Sequence, residues 1–303
     1  MLLNNTPLFS VVVASYNNSQ YLNEMIESVI QQSWSNWELV IAEDCSTDGS
    51  LEVLKKWTNH DRVNLIVHEK NKGAGGAFAT ATEAARGVFI GMLGADDALH
   101  PDALKIMAEA HLNHPNASLI TSLAMGCNAK LKPLGAYLHC RNLEATEELI
   151  HHPVVGNFAT FKSIAYQKTD GFNADLRKAV DRDVFLKLDE VGELKGVNKH
   201  LYYYRLHDGG ISQGESGMKA NQYAIQATLA AYRRRKGTNK ANLGAKQYRT
   251  LLRTWYFREC HPLRWVHRKK CNELLKRALL EVPSILLTRT FWSIVARNNF
   301  LKP

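Results

Sequence analysis

The chain has little of what would take it out of the ordinary globular class. It has only five cysteines, at positions 45, 127, 140, 260 and 271, an odd number with no C-x-x-C pair. Neither a zinc ribbon nor a paired disulfide framework is signalled, and a reducing cytosol is the expected setting. Apolar runs are short. Leu8 to Ala14 is too brief for an export signal and has no basic flank, and the stretch from Val282 to Ala296 is broken by Pro283 and Arg289. It falls short of the roughly 20 residues that cross a bilayer, so no transmembrane helix is expected. No G-x-G-x-x-G follows the first apolar run and no G-x-x-x-x-G-K-[ST] occurs, which argues against dinucleotide and P-loop binding. Acidic residues are scarce in one part only: residues 215–303 carry 19 Lys and Arg against 4 Asp and Glu, a charge of +15, whereas residues 1–214 carry −6. Such opposition implies that the two parts meet different partners. An acidic body does not suit nucleic acid.

What is present is enough for a full core: 303 residues, of which 45% are hydrophobic and 22% charged. Phe9 to Ala14 is a continuous β-branched run, and Leu22, Met25, Ile26, Val29 and Ile30 follow at helical spacing. Strands are predicted at Trp37–Ala42, Val63–Val67, Val88–Leu93 and Ala117–Leu123, with helices at 50–58, 77–85 and 102–114 between them. This alternation predicts an α/β domain with a parallel sheet covered by helices, whose ligands sit beyond the carboxyl ends of the strands. After about residue 124 the pattern loosens until a helix resumes at 181–188. From Glu215 onward the chain reads as helical, basic and rich in aromatics.

Polar loops follow strands one, two and four. The first strand ends in Ala14-Ser15-Tyr16-Asn17-Asn18, where the tyrosine ring can stack on a base and the Asn and Ser side chains can equally cap a turn. The second runs into Glu43-Asp44-Cys45-Ser46-Thr47-Asp48-Gly49-Ser50, in which turn and cap preferences explain half the residues. A carboxylate there could also accept the imide N–H of uracil or thymine. The fourth runs into Gly94-Ala95-Asp96-Asp97, followed by Pro101. Two carboxylates so close repel unless something positive lies between them, and a divalent cation bridging to a diphosphate satisfies that requirement. Asp181 in Val180-Asp181-Arg182-Asp183, and His207 in Tyr204-Arg205-Leu206-His207, are weak signals singly.

In this order the segments resemble the large family of inverting glycosyltransferases with the GT-A fold, often called family 2, over about residues 7–214. The resemblance rests on Ser10 to Asn17, the Glu43-Asp44-x-Ser46-x-Asp48-Gly49-Ser50 run, Asn71-Lys72-Gly73, Asp96-Asp97 with Pro101, the Asp181 helix and Tyr204-Arg205-x-His207. It implies a GT-A-type nucleotide-sugar-binding domain with a central, mostly parallel sheet, plus a C-terminal helical extension. It assigns the Ala14-Ser15-Tyr16 loop to the nucleotide, with Tyr16 stacking on the base, and Asp44 to the base N–H. Asp96 goes to the ribose or metal, Asp97 to the metal, His207 to the metal or diphosphate, and Asp181 becomes the general base. Mn2+ or Mg2+ is the implied cofactor. A nucleotide-diphosphate sugar, with UDP favoured, is the implied donor, and a saccharide or lipid-linked saccharide the acceptor.

The chain departs from the family pattern at three positions. Gly94 stands where an aspartate often completes an Asp-x-Asp. Phe78 stands where relatives carry an arginine that reaches the nucleotide, with Lys72 as a candidate substitute, and Val180 replaces a glutamate before the base. Residues 1–214 are expected to form the catalytic domain. Residues 215–303, with Trp255, Tyr256, Phe257, Trp265, Phe291 and Trp292 among the basic residues, are expected to contact the inner face of an anionic membrane or another subunit. Two rival readings are a non-catalytic sugar-nucleotide binder and a nucleic-acid module using Arg233-Arg234-Arg235-Lys236 and Arg268-Lys269-Lys270.

Overall fold

The computed structural model describes residues 9–137, 149–151, 158–207, 209, 214–240, 242–266 and 268–298. Strand β1 (Phe9–Ser15), helix α1 (Leu22–Ile30), β2 (Trp37–Glu43), α2 (Ser50–Lys55), β3 (Val63–Val67), α3 (Gly73–Ala84) and β4 (Phe89–Gly94) alternate as expected. They are followed by β5 (Ala98–Leu99), α4 (Ala103–Asn113), β6 (Ala117–Cys127), β7 (Pro133–Ala136), β8 (Thr160–Lys162), α5 (Ser163–Tyr166), α6 (Val180–Val191) and β9 (Glu193–Arg205). Helices α7 (Gly214–Arg235), α8 (Ala245–Val266), α9 (Arg268–Glu281) and α10 (Arg289–Asn298) complete the described chain.

The strands form one sheet in the order β3-β2-β1-β4-β8-β6-β9-β5, with β7 on β6. The parallel pairing expected from the alternation holds across β3, β2, β1 and β4 and recurs between β6 and β9. The sheet becomes mixed where β8 enters antiparallel to both β4 and β6. Val11, Val12 and Val13 are all fully buried because β1 lies between two neighbours with helices on both faces, which explains the unbroken apolar run there. One face packs on α1, α2 and α4 through Leu22, Met25, Ile26, Val29, Leu54, Leu104 and Met107. The other packs on α3 and α6 through Ala77, Ala81, Val184, Phe185 and Leu188.

Two elements differ from the sequence reading. Helix α3 starts at Gly73, four residues before the predicted start, because Gly73 takes a positive φ of 76° that lets the chain turn directly into the helix. Strand β9 was not expected, since Glu193, Lys195, Asn198, Lys199 and His200 show no apolar alternation. It forms because β6 gives it a parallel partner from Glu193 to Arg205. Its far end pairs with β5, Ala98 opposite Tyr203, and so brings residues 202–207 beside Asp96 and Asp97.

Beyond residue 214 the helices have a core of their own, with Leu252, Tyr256, Cys260, Cys271, Leu275, Phe291 and Ile294 at its centre. They also share the second face of the body through Ala231 and Leu243. Of the six aromatics expected at an interface, Tyr256 and Phe291 are buried, Trp255 and Phe257 pack partly buried against this core, and Trp292 is 48% exposed. The surroundings of Trp265 lie outside the described residues. Arg235 is buried on Asp189 at 2.9 Å and Glu190 at 3.1 Å, and Arg234 pairs with Glu190 at 2.8 Å. Arg233 reaches Glu281 at 3.5 Å. Of the arginine run that a nucleic-acid module would turn towards phosphates, Arg235 is buried and Arg234 paired within the protein, while Arg233 and Lys236 remain exposed. Among the described residues, no helix is long and apolar enough to cross a membrane.

Candidate functional site

The loops after β1 and β2 are laced together. Asn17, at φ 55°, donates its amide to Ser46 Oγ at 2.9 Å, while its side-chain oxygen accepts from the Thr47 amide at 2.8 Å. Asp48 accepts from the Ser19 amide at 2.9 Å and the Ser50 amide at 3.0 Å. Glu43 accepts from the amides of Cys45 and Ser46 at 3.0 and 2.7 Å. Two of the acidic residues in this run therefore serve as turn caps. Ser15 is buried, Ala14 half-buried, and Tyr16 stands 47% exposed at the rim, where a base could lie on its ring.

Asp44 is buried and heavily engaged. Its carboxylate accepts from the Lys72 amide and the Gly73 amide, both at 2.7 Å, and lies 2.8 Å from His68 Nδ1. His68 reaches Thr80 Oγ1 on α3 with its other nitrogen, at 3.0 Å. Asp44 thus ties the β3–α3 loop and the start of α3 to the end of β2. A carboxylate has about four acceptor positions, so roughly one is left for a base N–H. The Lys72 side chain is exposed beside it.

After β4 the two adjacent aspartates divide. Asp97 is buried; it accepts from the Tyr202 hydroxyl at 2.6 Å and the Arg205 amide at 2.7 Å. Burial and the neighbouring Asp96 charge push its pKa well above the ordinary carboxylate value, against those two hydrogen bonds and the Arg205 charge. Both oxygens of Asp97, the expected metal ligand, accept from protein donors, so the residue ties the turn after β4 to β9. Asp96 is the accessible member, its side chain 26% exposed and its Oδ2 3.0 Å from His207 Nε2. The His207 ring also packs on the Tyr21 ring, centroids 4.7 Å apart, and the buried Arg205 guanidinium lies 4.5 Å from the centre of the Tyr21 ring and pairs with Glu24 at 2.8 Å. A cavity of about 500 Å³ opens here, lined by Asn17, Asn18, Gln20, Tyr21, Leu206 and His207 among others. Gly94 has a spatial reason. A β-carbon there would sit 2.7 Å from Asp97 Oδ2 and 3.1 Å from the Tyr202 hydroxyl, so the arrangement leaves no room for the family's extra aspartate.

Among the described residues no three His, Cys, Asp or Glu side chains converge as a ready-made metal site. The pair Asp96 and His207 nevertheless fits a divalent ion that arrives with a diphosphate. Such ions use one or two carboxylates with phosphate oxygens and water. The 3.0 Å between the two atoms is the spacing of neighbouring ligands held about 2.1 Å from an octahedral ion.

Helix α6 presents two acidic residues in its first turn, Asp181 and Asp183. Asp183 is buried and pairs with Lys187 at 2.8 Å. Asp181 is open to solvent. Desolvation of its carboxyl by the surrounding protein raises its pKa above the usual value, while the amide and guanidinium of Arg182 pull the other way. Sequence reasoning missed Tyr202, Tyr21 and Arg177. The first two show no local pattern, since a strand of polar residues and a loop bring them in. Arg177 donates to Asn71 Oδ1 at 3.1 Å from the loop before α6. The closing segment beyond His207, Asp208 and Gly210 to Ser212, lies outside the described residues. So do residues 138–148 and 152–157.

The sequence model described as Glycosyl transferase family 2 matches residues 10–165. A chondroitin synthase of Escherichia coli is 34% identical over 214 residues, 69% of this chain but 30% of the synthase. The chain thus spans less than a third of that relative. A putative teichuronic acid biosynthesis glycosyltransferase, TuaG of Bacillus subtilis, is 28% identical over 69% of this chain and 83% of its own length. Among solved structures, S. aureus TarS 1–349 in complex with UDP-GlcNAc superposes with a TM-score of 0.66 at 18% identity, covering 96% of this chain and 88% of that one. It shares the GT-A fold.

Proposed function

The chain belongs to glycosyl transferase family 2, and on that premise we propose that residues 1–214 transfer a sugar, with inversion, from a uridine diphosphate sugar to a saccharide hydroxyl during polysaccharide or glycolipid assembly. The observation that carries the catalytic part is Asp181, solvent-open with a raised pKa while its neighbour Asp183 is engaged by Lys187. A base whose pKa is raised towards neutrality takes up a proton more readily than an ordinary carboxylate. In this reading Asp181 accepts the proton of the acceptor hydroxyl, the hydroxyl oxygen bonds to the anomeric carbon, and the bond from that carbon to the diphosphate breaks. One displacement gives inversion.

Tyr16 stacks on the base, the backbone of Ala14 and Ser15 borders it, and the remaining acceptor position of Asp44 takes the imide N–H. Asp96 and His207 hold Mn2+ or Mg2+. The ion neutralises charge on the leaving diphosphate when bound. The donor assignment draws support from the UDP-GlcNAc held by TarS, and the setting from the names of the chondroitin synthase and TuaG.

Residues 215–303 act as an extension that docks on the body and offers its outer side to a partner. Leu280, Leu286 and Trp292 are exposed there, 84%, 42% and 48%, within the segment of charge +15. That combination suits the anionic inner face of a membrane carrying a lipid-linked acceptor.

Calorimetry with UDP, dTDP and GDP, each with Mn2+ and with excess chelator, tests the reading. UDP is expected to bind best and to need the metal, because Asp96 and His207 alone make half a coordination shell at most. Equal binding of UDP in chelator removes the metal role of both residues. Binding without turnover of any UDP-sugar identifies a non-catalytic sensor instead.

A further inference from the structure

A donor diphosphate is itself anionic, and the residues proposed above to hold the donor include the carboxylates Asp44 and Asp96, so it needs cations besides the metal. The position where relatives place an arginine supplies none. Phe78 belongs to the second core and stacks on Phe172, ring centroids 5.5 Å apart with planes inclined at 21°. Arg205 is buried and held by Glu24 and by the carbonyls of Asp96 and Ala129.

The stretch that carries Phe172 carries another cation. Residues 171–179 cross the start of α3, where Leu176 accepts from the Gly75 amide at 3.3 Å. The approach is close enough that a β-carbon at Gly75 would lie 2.9 Å from that same carbonyl. Arg177 follows directly. Its side chain is exposed, its guanidinium lies over Gly73, where only a residue without a β-carbon leaves room, and its Nη1 donates to Asn71 Oδ1 at 3.1 Å. Asn71 in turn donates to the Asp44 carbonyl at 3.0 Å. Among the described residues Arg177 pairs with no carboxylate, so one N–H of its five is engaged by Asn71 and the fork is otherwise presented outward, next to the exposed Lys72.

We propose that Arg177, with Lys72 beside it, binds the donor's diphosphate and takes over the charge that Phe78 does not provide. The two changes belong together: the Phe78–Phe172 contact anchors the crossing segment, and the anchored segment delivers Arg177 to the first turn of α3. A guanidinium fork matches two phosphate oxygens, and its hold strengthens as the bond to the sugar breaks and charge gathers on the leaving group. The inference rests on the reading that this site takes a nucleotide-diphosphate sugar.

The test is binding of UDP and of uridine, in Mn2+, to the full chain and to Arg177→Ala, Arg177→Lys and the double variant Arg177→Ala/Phe78→Arg, with thermal melting as a check on folding. Arg177→Ala is expected to weaken UDP ten- to a hundredfold and leave uridine within about twofold. The lysine variant should lie between, and the double variant should recover part of the UDP loss. Equal weakening of UDP and uridine would mean that Arg177 only braces Asn71, and unchanged UDP affinity would mean that it does not touch the diphosphate; either overturns the proposal. A wild-type chain that binds neither ligand refutes the donor assignment itself, and the proposal falls with it.

Discussion

Removing the Tyr202 hydroxyl by Tyr202→Phe tests whether Asp97 is a brace and not a ligand. That hydroxyl accepts from the half-buried Gly94 amide at 3.0 Å and donates to Asp97 Oδ2 at 2.6 Å in a buried bond. Phenylalanine keeps the ring's packing in the first core and leaves two polar groups without a partner. A stranded amide costs about 1–2 kcal/mol and a carboxylate deprived of a strong donor about 2–3, so about 3–5 kcal/mol of stability should be lost near neutral pH. The direction of the pH dependence follows from the raised pKa of Asp97. A carboxyl whose folded pKa exceeds its unfolded one favours folding most below the unfolded pKa, and that contribution is lost as pH rises through the folded pKa. The Tyr202 bond holds the folded pKa down, so the variant's pKa rises further and its extra loss grows, if it changes, in the direction of rising pH. Urea unfolding of both proteins at pH 5 and pH 7.5 measures this. A difference below about 1 kcal/mol at pH 7.5, or one that shrinks as pH rises, would refute the buried network as described.

Three further outcomes are expected. Asp181→Asn should keep UDP affinity and slow transfer by roughly a hundred- to ten-thousandfold; in the wild type, kcat should rise with pH through a midpoint above the usual carboxylate range, since the base acts deprotonated, and that limb should vanish in the variant. Gly94→Asp, which restores the familiar Asp-x-Asp, should destabilise the chain by about 1–3 kcal/mol and fail to raise Mn2+ affinity without UDP, because its β-carbon lands on Asp97 and Tyr202; a gain in metal affinity would show that the site opens. The full chain should float with anionic but not neutral vesicles and release at high salt, less firmly after Trp292→Ala; indifference to anionic lipid at low salt would leave the extension as a protein-docking element.

Much of the architecture was legible locally. The β-branched run at Val11 to Val13, the helical spacing of Leu22 to Val29 and the carboxylates after β2 and β4 depend on short-range periodicity and turn chemistry, which adjacent residues encode. Strand β9 was not legible, because its hydrogen bonds go to β6 and its own side chains do not alternate. The aromatic, basic tail read as an interface, yet Tyr256, Phe291 and Arg235 face inward, since burial depends on which helix covers which face.

The order of motifs by itself determined the family and the α/β alternation, and it singled out the acidic residues proposed for the site. Tertiary structure alone decided what surrounds those residues: Asp97 is enclosed by Tyr202 and Arg205 while Asp96 stays accessible beside His207, and Asp183 pairs with Lys187 while Asp181 faces solvent. Adjacent or near-adjacent aspartates are equivalent in sequence. The hydrogen-bond donors of Asp97 come from residues 105 and 108 positions away, and only the packing of β9 against β5 and β6 brings those donors to one carboxylate and leaves the other exposed beside His207.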